Sequence, residues 1–168
     1  MKPYGIALIM LASLWVSAQS VSVRRQHAET LGQFCLLLER LAGEIRIDAK
    51  PMPELLQSLV SRSGDSAEKF LDCLCTSMEK LGEYSFSNLW KDALLVIPEL
   101  HPDEIRELEK LGSVLGRYDS QTQESAIQDC IQLLKAEEQR LRCELPQYRR
   151  LALGLGLSAA GLIGILLI

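Results

Sequence analysis

Apolar and polar positions follow helical spacing through the middle of the chain. In residues 27–47 the apolar positions recur every three or four residues, and the charged positions fall largely on the other side. No segment shows the period of two that is typical of a half-buried strand. The apolar positions of this first helix are Leu31, Phe34, Leu38, Leu41 and Ile45. The pattern predicts an all-α protein, an antiparallel bundle of about six helices.

Prolines, glycines and capping residues divide the following sequence into shorter helices. Pro53 suits the first turn of a short helix that Ser63 and Gly64 close. Asp65 or Ser66 is expected to cap the next helix, which Gly82 is placed to end. The last three helices are expected to begin at Ser87 or Asn88, at His101 and Pro102, and at Asp119 and Ser120.

The C-terminal residues 151–168 are apolar and carry no charge, and Arg149 and Arg150 precede them. Eighteen residues at about 1.5 Å each form a helix of roughly 27 Å, close to the hydrocarbon thickness of a bilayer. Pro146 has no amide hydrogen for the carbonyl four residues earlier. We therefore expect a kink or break there, between the last bundle helix and a C-terminal transmembrane helix.

Residues 4–23 form a second apolar stretch, for which two interpretations remain open. They resemble a signal peptide cleaved after Ala18, or a membrane anchor that Arg24 and Arg25 end. Export would leave Arg149 and Arg150 outside, whereas two anchors place both arginine pairs in the cytoplasm, as the positive-inside rule favours. The expected division is a membrane segment at 1–23, a helical bundle domain at 24–148 and a transmembrane helix at 149–168. Whether the first segment spans fully stays open.

The composition argues against several classes of function. A net charge of −4 gives no support for nucleic-acid binding, which requires a basic face. The five cysteines have neither disulfide-framework nor zinc-site spacing, and nucleotide-binding and zinc-protease motifs are missing from the sequence. His27 and His101 are expected on the solvated surface. We therefore predict no catalytic, cofactor-binding or metal-binding residue, and no enzymatic activity.

Several runs of the sequence are similar to those of one family. They read LERLAGEI at 38–45, PMPELL at 51–56 and LGSVLGRYD at 111–119, and a glycine-bearing apolar C-terminus follows. Over nearly its whole length the chain resembles the stage III sporulation protein AB family of endospore-forming bacteria.

The resemblance implies a membrane protein of the channel between mother cell and forespore. The cytoplasmic part of this family is similar to the cytoplasmic domain of the type II secretion platform protein. The expected partners are a secretion-type ATPase of the same sporulation system, other membrane proteins of the channel and the lipid bilayer. The expected location is the mother-cell membrane facing the forespore, with the soluble domain in the cytoplasm.

Two sets of residues are candidates for contacts with these partners. Asp103, Glu107 and Lys110 lie on the solvated side of one predicted helix and offer a docking surface for an ATPase, or merely keep the domain soluble. Small residues repeat every four positions in the C-terminal segment, at Gly156, Ala160 and Gly164. Such a stripe permits close packing of membrane helices, although glycine and alanine are also common in membrane spans.

Overall fold

A computed structural model describes residues 2–47, 51–115, 117 and 119–166, with side chains for 22–46, 51–115, 117 and 119–146. The all-α prediction is confirmed, because the described chain forms six α-helices, and its only β-type pairing is an isolated bridge between Leu81 and Tyr84. The helices are α1 Lys2–Ile47, α2 Met52–Val60, α3 Asp65–Ser77, α4 Phe86–Leu94, α5 Pro102–Val114 and α6 Ser120–Leu166. A 3₁₀ turn at Met78–Lys80 follows α3.

The first and last helices are much longer than the other four. α1 is continuous over 46 residues, and α6 over 47 residues with Pro146 inside it. The predicted break at Pro146 is therefore wrong, and the alternative of a kink there stays a prediction. A proline removes one backbone hydrogen bond, but the turns on either side retain theirs and hold the helix together. Among the residues that the structure describes, no helix is long and apolar enough to cross a membrane.

The chain divides into two compact units. One combines the residues up to Ala28 with those from Gln139 onward, and the other spans Glu29–Glu138. In the first unit, Arg24 of α1 forms an ion pair with Glu144 of α6 at 3.5 Å. In the second unit, an ion pair between Glu39 and Lys135 joins the same two helices. An ion pair thus links α1 to α6 within each unit.

Aromatic side chains form the centre of the Glu29–Glu138 unit. The ring centroids of Phe34 and Phe70 are 5.4 Å apart, and Trp90 meets Phe70 edge-on at 4.9 Å. All three are at most 1 % exposed. Buried aromatic rings in such tilted and edge-on contacts stabilise a core beyond the area that they remove from water. The predicted apolar face of the first helix is confirmed at Leu31, Phe34, Leu38 and Leu41, whereas Ile45 is only half-buried.

The cap of α3 comes from a different helix. The side-chain oxygen of Gln33 in α1 accepts the backbone N–H of Ser66 at 2.8 Å and that of Ala67 at 3.4 Å. The residue preceding the helix is Gly64, so the predicted cap at Asp65 or Ser66 is wrong. A Cβ on Gly64 would lie 2.6 Å from Cδ of Gln33, so the glycine leaves the room that this amide occupies.

The other helix ends follow local signals more closely. Gly82 has φ +118°, which glycine adopts without steric cost, but it follows the 3₁₀ turn and does not end the helix itself. α3 ends at Ser77, so the predicted helix end at Gly82 is wrong. α4 begins two or three residues earlier than expected, with Ser85 rather than Ser87 or Asn88 as its cap. The carboxylate of Asp119 accepts the backbone N–H of Thr122 at 3.1 Å and its hydroxyl at 2.7 Å, which confirms the predicted start of α6. These hydrogen bonds lower the pKa of Asp119.

Candidate partner surface

The start of α5 is held by its own first turn. The backbone N–H of His101 donates to Oε2 of Glu104 at 2.7 Å, as in a capping box, and Pro102 occupies the first turn. Glu104 is buried, at 7 % exposure, which sequence periodicity did not indicate. Ile105 lies one turn before the buried Leu108 and is half-buried.

Trp90 of α4 fixes the other end of α5. Its indole Nε1–H donates to the backbone oxygen of Leu108 at 2.9 Å, and the side chain is 1 % exposed. A Cβ on Gly112 would lie 2.4 Å from Cδ1 of this ring, so only glycine leaves enough room. Nearer the surface, Lys91 and Glu109 form an ion pair at 3.2 Å between the same helices. These contacts give the outer face of α5 a fixed position against α4.

Asp103, Glu107 and Lys110 lie on α5 as the helical spacing predicts. Asp103 and Lys110 are exposed, whereas Glu107 is half-buried. Each acidic residue pairs with a basic one three positions later: Asp103 with Arg106, and Glu107 with Lys110 at 2.7 Å. The face therefore alternates in charge along the helix. Its role as a docking surface stays a prediction.

The predictions for the two histidines and for the stripe of small residues have different outcomes. His101 is exposed, as predicted, but His27 is only 5 % exposed, and its predicted place on the solvated surface is wrong. His27 lies one turn before Leu31, on an extension of the apolar face of α1. The stripe of Gly156, Ala160 and Gly164 lies outside the residues whose side chains are described.

Two buried cysteines are poor nucleophiles. Burial, assisted by the charge of Glu138, raises the pKa of the Cys35 thiol to about 11. Burial, with a smaller effect of Cys35, raises the pKa of Cys130 to about 12. Both are free thiols that stay protonated near neutral pH, because the thiolate is disfavoured away from water.

Sequence reasoning missed a groove that is assembled from the ends of several helices. It has a volume of about 190 Å³, and its lining includes Met52, Met78, Leu81, Phe86, Leu115 and Arg117. We name it the Arg117 groove. Its residues come from four separate stretches of sequence, so no single period or motif marks it. Two of these stretches lie within the family-like runs at 51–56 and 111–119, but sequence alone did not show that the two runs meet.

Comparison with known proteins identifies the family. A family model described as stage III sporulation protein AB matches residues 2–168. No curated protein and no solved structure matches the chain. The family match confirms the resemblance that the runs at 38–45, 51–56 and 111–119 indicate. It covers both terminal segments as well as the helical part between them. The chain therefore belongs to the stage III sporulation protein AB family.

Proposed function

We propose that this protein is a non-enzymatic membrane component of the channel between mother cell and forespore, and a platform or coupling protein for a secretion-type ATPase. The observation that carries the proposal is the family match over residues 2–168, which assigns the chain to stage III of sporulation. The charge-free residues 151–168 and the apolar residues 4–23 support anchoring at both ends.

The arrangement of the long helices supports a coupling role. α1 and α6 each run from a terminal apolar stretch into the helical part, without a helix break in the described residues. A regular helix carries a displacement along its axis better than a flexible loop, which absorbs it. We infer that a partner bound to the helices between the two terminal segments displaces these segments through α1 and α6.

Labelling of Cys143 tests the proposed topology. This cysteine is exposed and lies seven residues before Arg150. A membrane-impermeant maleimide is applied to intact mother cells and to permeabilised ones, using a variant whose other four cysteines are alanine. We expect labelling only after permeabilisation, because residues 24–148 then face the cytoplasm. Labelling of intact cells would contradict the topology.

Sequencing of the mature N-terminus separates this proposal from an exported domain with a cleaved signal peptide. A two-anchor protein retains the residues before Gln19, whereas cleavage after Ala18 leaves Gln19 first.

The coupling role is tested by mixing the full chain in lipid nanodiscs with the ATPase encoded beside this family. We expect co-purification and a changed rate of ATP hydrolysis, compared with empty nanodiscs. A rate and a binding profile identical to that control would contradict the coupling role.

A further inference from the structure

The Arg117 groove lies where the beginnings of α2 and α4 meet the region after α3 and the end of α5. Its volume of about 190 Å³ is smaller than the roughly 300–1,000 Å³ of typical small-molecule sites. The space suits one or two side chains of a protein partner better than a whole cofactor. Anchor side chains that fill a pocket in this way commonly dominate the energy of protein interfaces.

The walls of the groove are apolar and adaptable. Met52 and Met78 are half-buried, and the ring of Phe86, which also lines the groove, contacts the buried ring of Trp90 at a centroid distance of 5.7 Å. Methionine is flexible and polarisable, and it suits surfaces that adapt to an incoming side chain. At the edge of the groove, Leu81 is 48 % exposed and nearby Tyr84 is 53 % exposed. Two such side chains extend the apolar surface beyond the groove itself.

Arg117 gives the groove a defined electrostatic preference. It is exposed, and it is the one charged side chain among the described residues that line the groove. Its guanidinium forms no ion pair within the part of the chain that the structure describes. A guanidinium presents a planar set of donors that matches a carboxylate. The first turns of α2 and α4 also line the groove, and the positive end of a helix dipole favours negative charge, as Arg117 does.

We propose that the Arg117 groove is a docking site for a segment of another protein that carries a large apolar side chain beside an acidic one. The apolar side chain enters between Met52, Met78 and Phe86, and the carboxylate meets Arg117. This recognition does not depend on the proposed ATPase coupling, because the groove selects side chains whichever protein carries them. A nucleic acid fits poorly, since one arginine on a chain of net charge −4 offers little to a phosphate backbone.

The test uses a library of random 12-residue peptides displayed on phage and selected against the full chain in lipid nanodiscs. We expect the selected peptides to share Leu, Phe, Met or Trp next to Asp or Glu. Their dissociation constants are then measured by fluorescence anisotropy. Arg117→Glu should weaken binding at least tenfold, because it replaces an attraction by a repulsion. Replacing the acidic residue of the peptide with lysine should restore binding to Arg117→Glu.

Lys69→Glu is the matched control. It makes the same charge change at an exposed position of α3 that does not line the groove, and it should leave affinity unchanged. The proposal is overturned if no peptide is selected, or if the selected peptides bind Arg117→Glu as well as the unchanged protein. It is also overturned if the protein self-associates in light scattering and Leu81→Gln abolishes this, since a second copy then occupies the groove.

Discussion

The indole ring of Trp90 lies against the backbone of α5 at Gly112, where a Cβ would fall 2.4 Å from Cδ1 of the ring. The same ring donates its N–H to the backbone oxygen of Leu108, one turn earlier on α5. Contact with the backbone itself therefore sets the spacing of α4 and α5. The helix that carries the predicted partner surface, and that ends beside the Arg117 groove, is positioned by this contact.

Gly112→Ala should lower the stability of the protein. The added methyl group forces the Trp90 ring away from α5, and overpacking of this kind costs about 1–3 kcal/mol. Thermal unfolding of the full chain in detergent, followed by circular dichroism, measures the effect. Gly43→Ala is the control, because a Cβ there meets nothing within 4 Å and alanine favours a helix. Equal melting temperatures for Gly112→Ala and the unchanged protein would refute the role of this contact.

The cap that Gln33 supplies to α3 predicts a coupled pair of substitutions. Gln33→Ala removes the acceptor for the N–H groups of Ser66 and Ala67, which should cost about 1 kcal/mol. Gly64→Ala alone should destabilise by displacing the same amide, since its Cβ would lie 2.6 Å from Cδ of Gln33. In the double variant the methyl group meets no amide, so the combined loss should be smaller than the sum. Strictly additive losses would show that the two residues act independently.

The buried thiols predict a loss of stability at alkaline pH. The thiols of Cys35 and Cys130 have pKa values of about 11 and about 12 in the folded protein, against the ordinary value of 9.0 for an exposed thiol. The unfolded chain therefore releases these protons from about pH 9, whereas the folded chain still holds them. Stability should fall between about pH 9 and 12, because the unfolded state then binds fewer protons than the folded state.

The measurement compares urea midpoints at several pH values for the unchanged protein and for Cys35→Ala with Cys130→Ala. The double variant should show a shallower decline over this range, since it lacks the two thiols whose protons the unfolded chain releases first. Parallel curves would contradict the assignment. At neutral pH a maleimide should modify exposed Cys143 first and reach Cys35 and Cys130 only after unfolding.

Charge reversal on α5 tests the predicted partner surface. Asp103→Lys with Glu107→Lys should leave the melting temperature nearly unchanged, because exposed ion pairs such as those with Arg106 and Lys110 contribute at most about 1 kcal/mol each. ATPase capture and spore yield should both fall, since the surface then repels a basic partner.

Glu68→Lys with Asp72→Lys is the control for this pair. These two exposed acids have the same spacing of four residues and begin in the first turn of α3, as Asp103 does in α5. The control variant should capture the ATPase normally. If both variants lose ATPase capture to the same extent, only the general charge of the domain matters, and the face of α5 has no specific role.

The sequence predicted those features of the fold that depend on interactions between residues close together in the chain. The apolar period located Leu31, Phe34, Leu38 and Leu41 in the core, and Asp119 marked the start of α6, because these signals act within a few residues. The cap of α3 could not be predicted in this way, since Gln33 lies 33 positions before Ser66.

Contacts across the fold account for the remaining differences. The need for glycine at 112 depends on Trp90, which is 22 positions earlier and on another helix. No sequence pattern marks Arg117 as part of a binding site, because that role depends on its place in the groove with Met52, Met78 and Phe86. Pro146 predicts a break from its own chemistry, but the backbone hydrogen bonds of neighbouring turns outweigh that preference.

The most direct test of the coupling role is photo-crosslinking in sporulating cells. A photoreactive amino acid is placed at exposed positions of the helical part, including 69, 81, 103 and 110, in strains where the tagged variant supports normal spore yield. We expect at least one position to give a crosslinked product that contains the secretion-type ATPase, at the stage when the channel forms. Normal spore yield without any ATPase adduct, at every exposed position tested, would contradict the account.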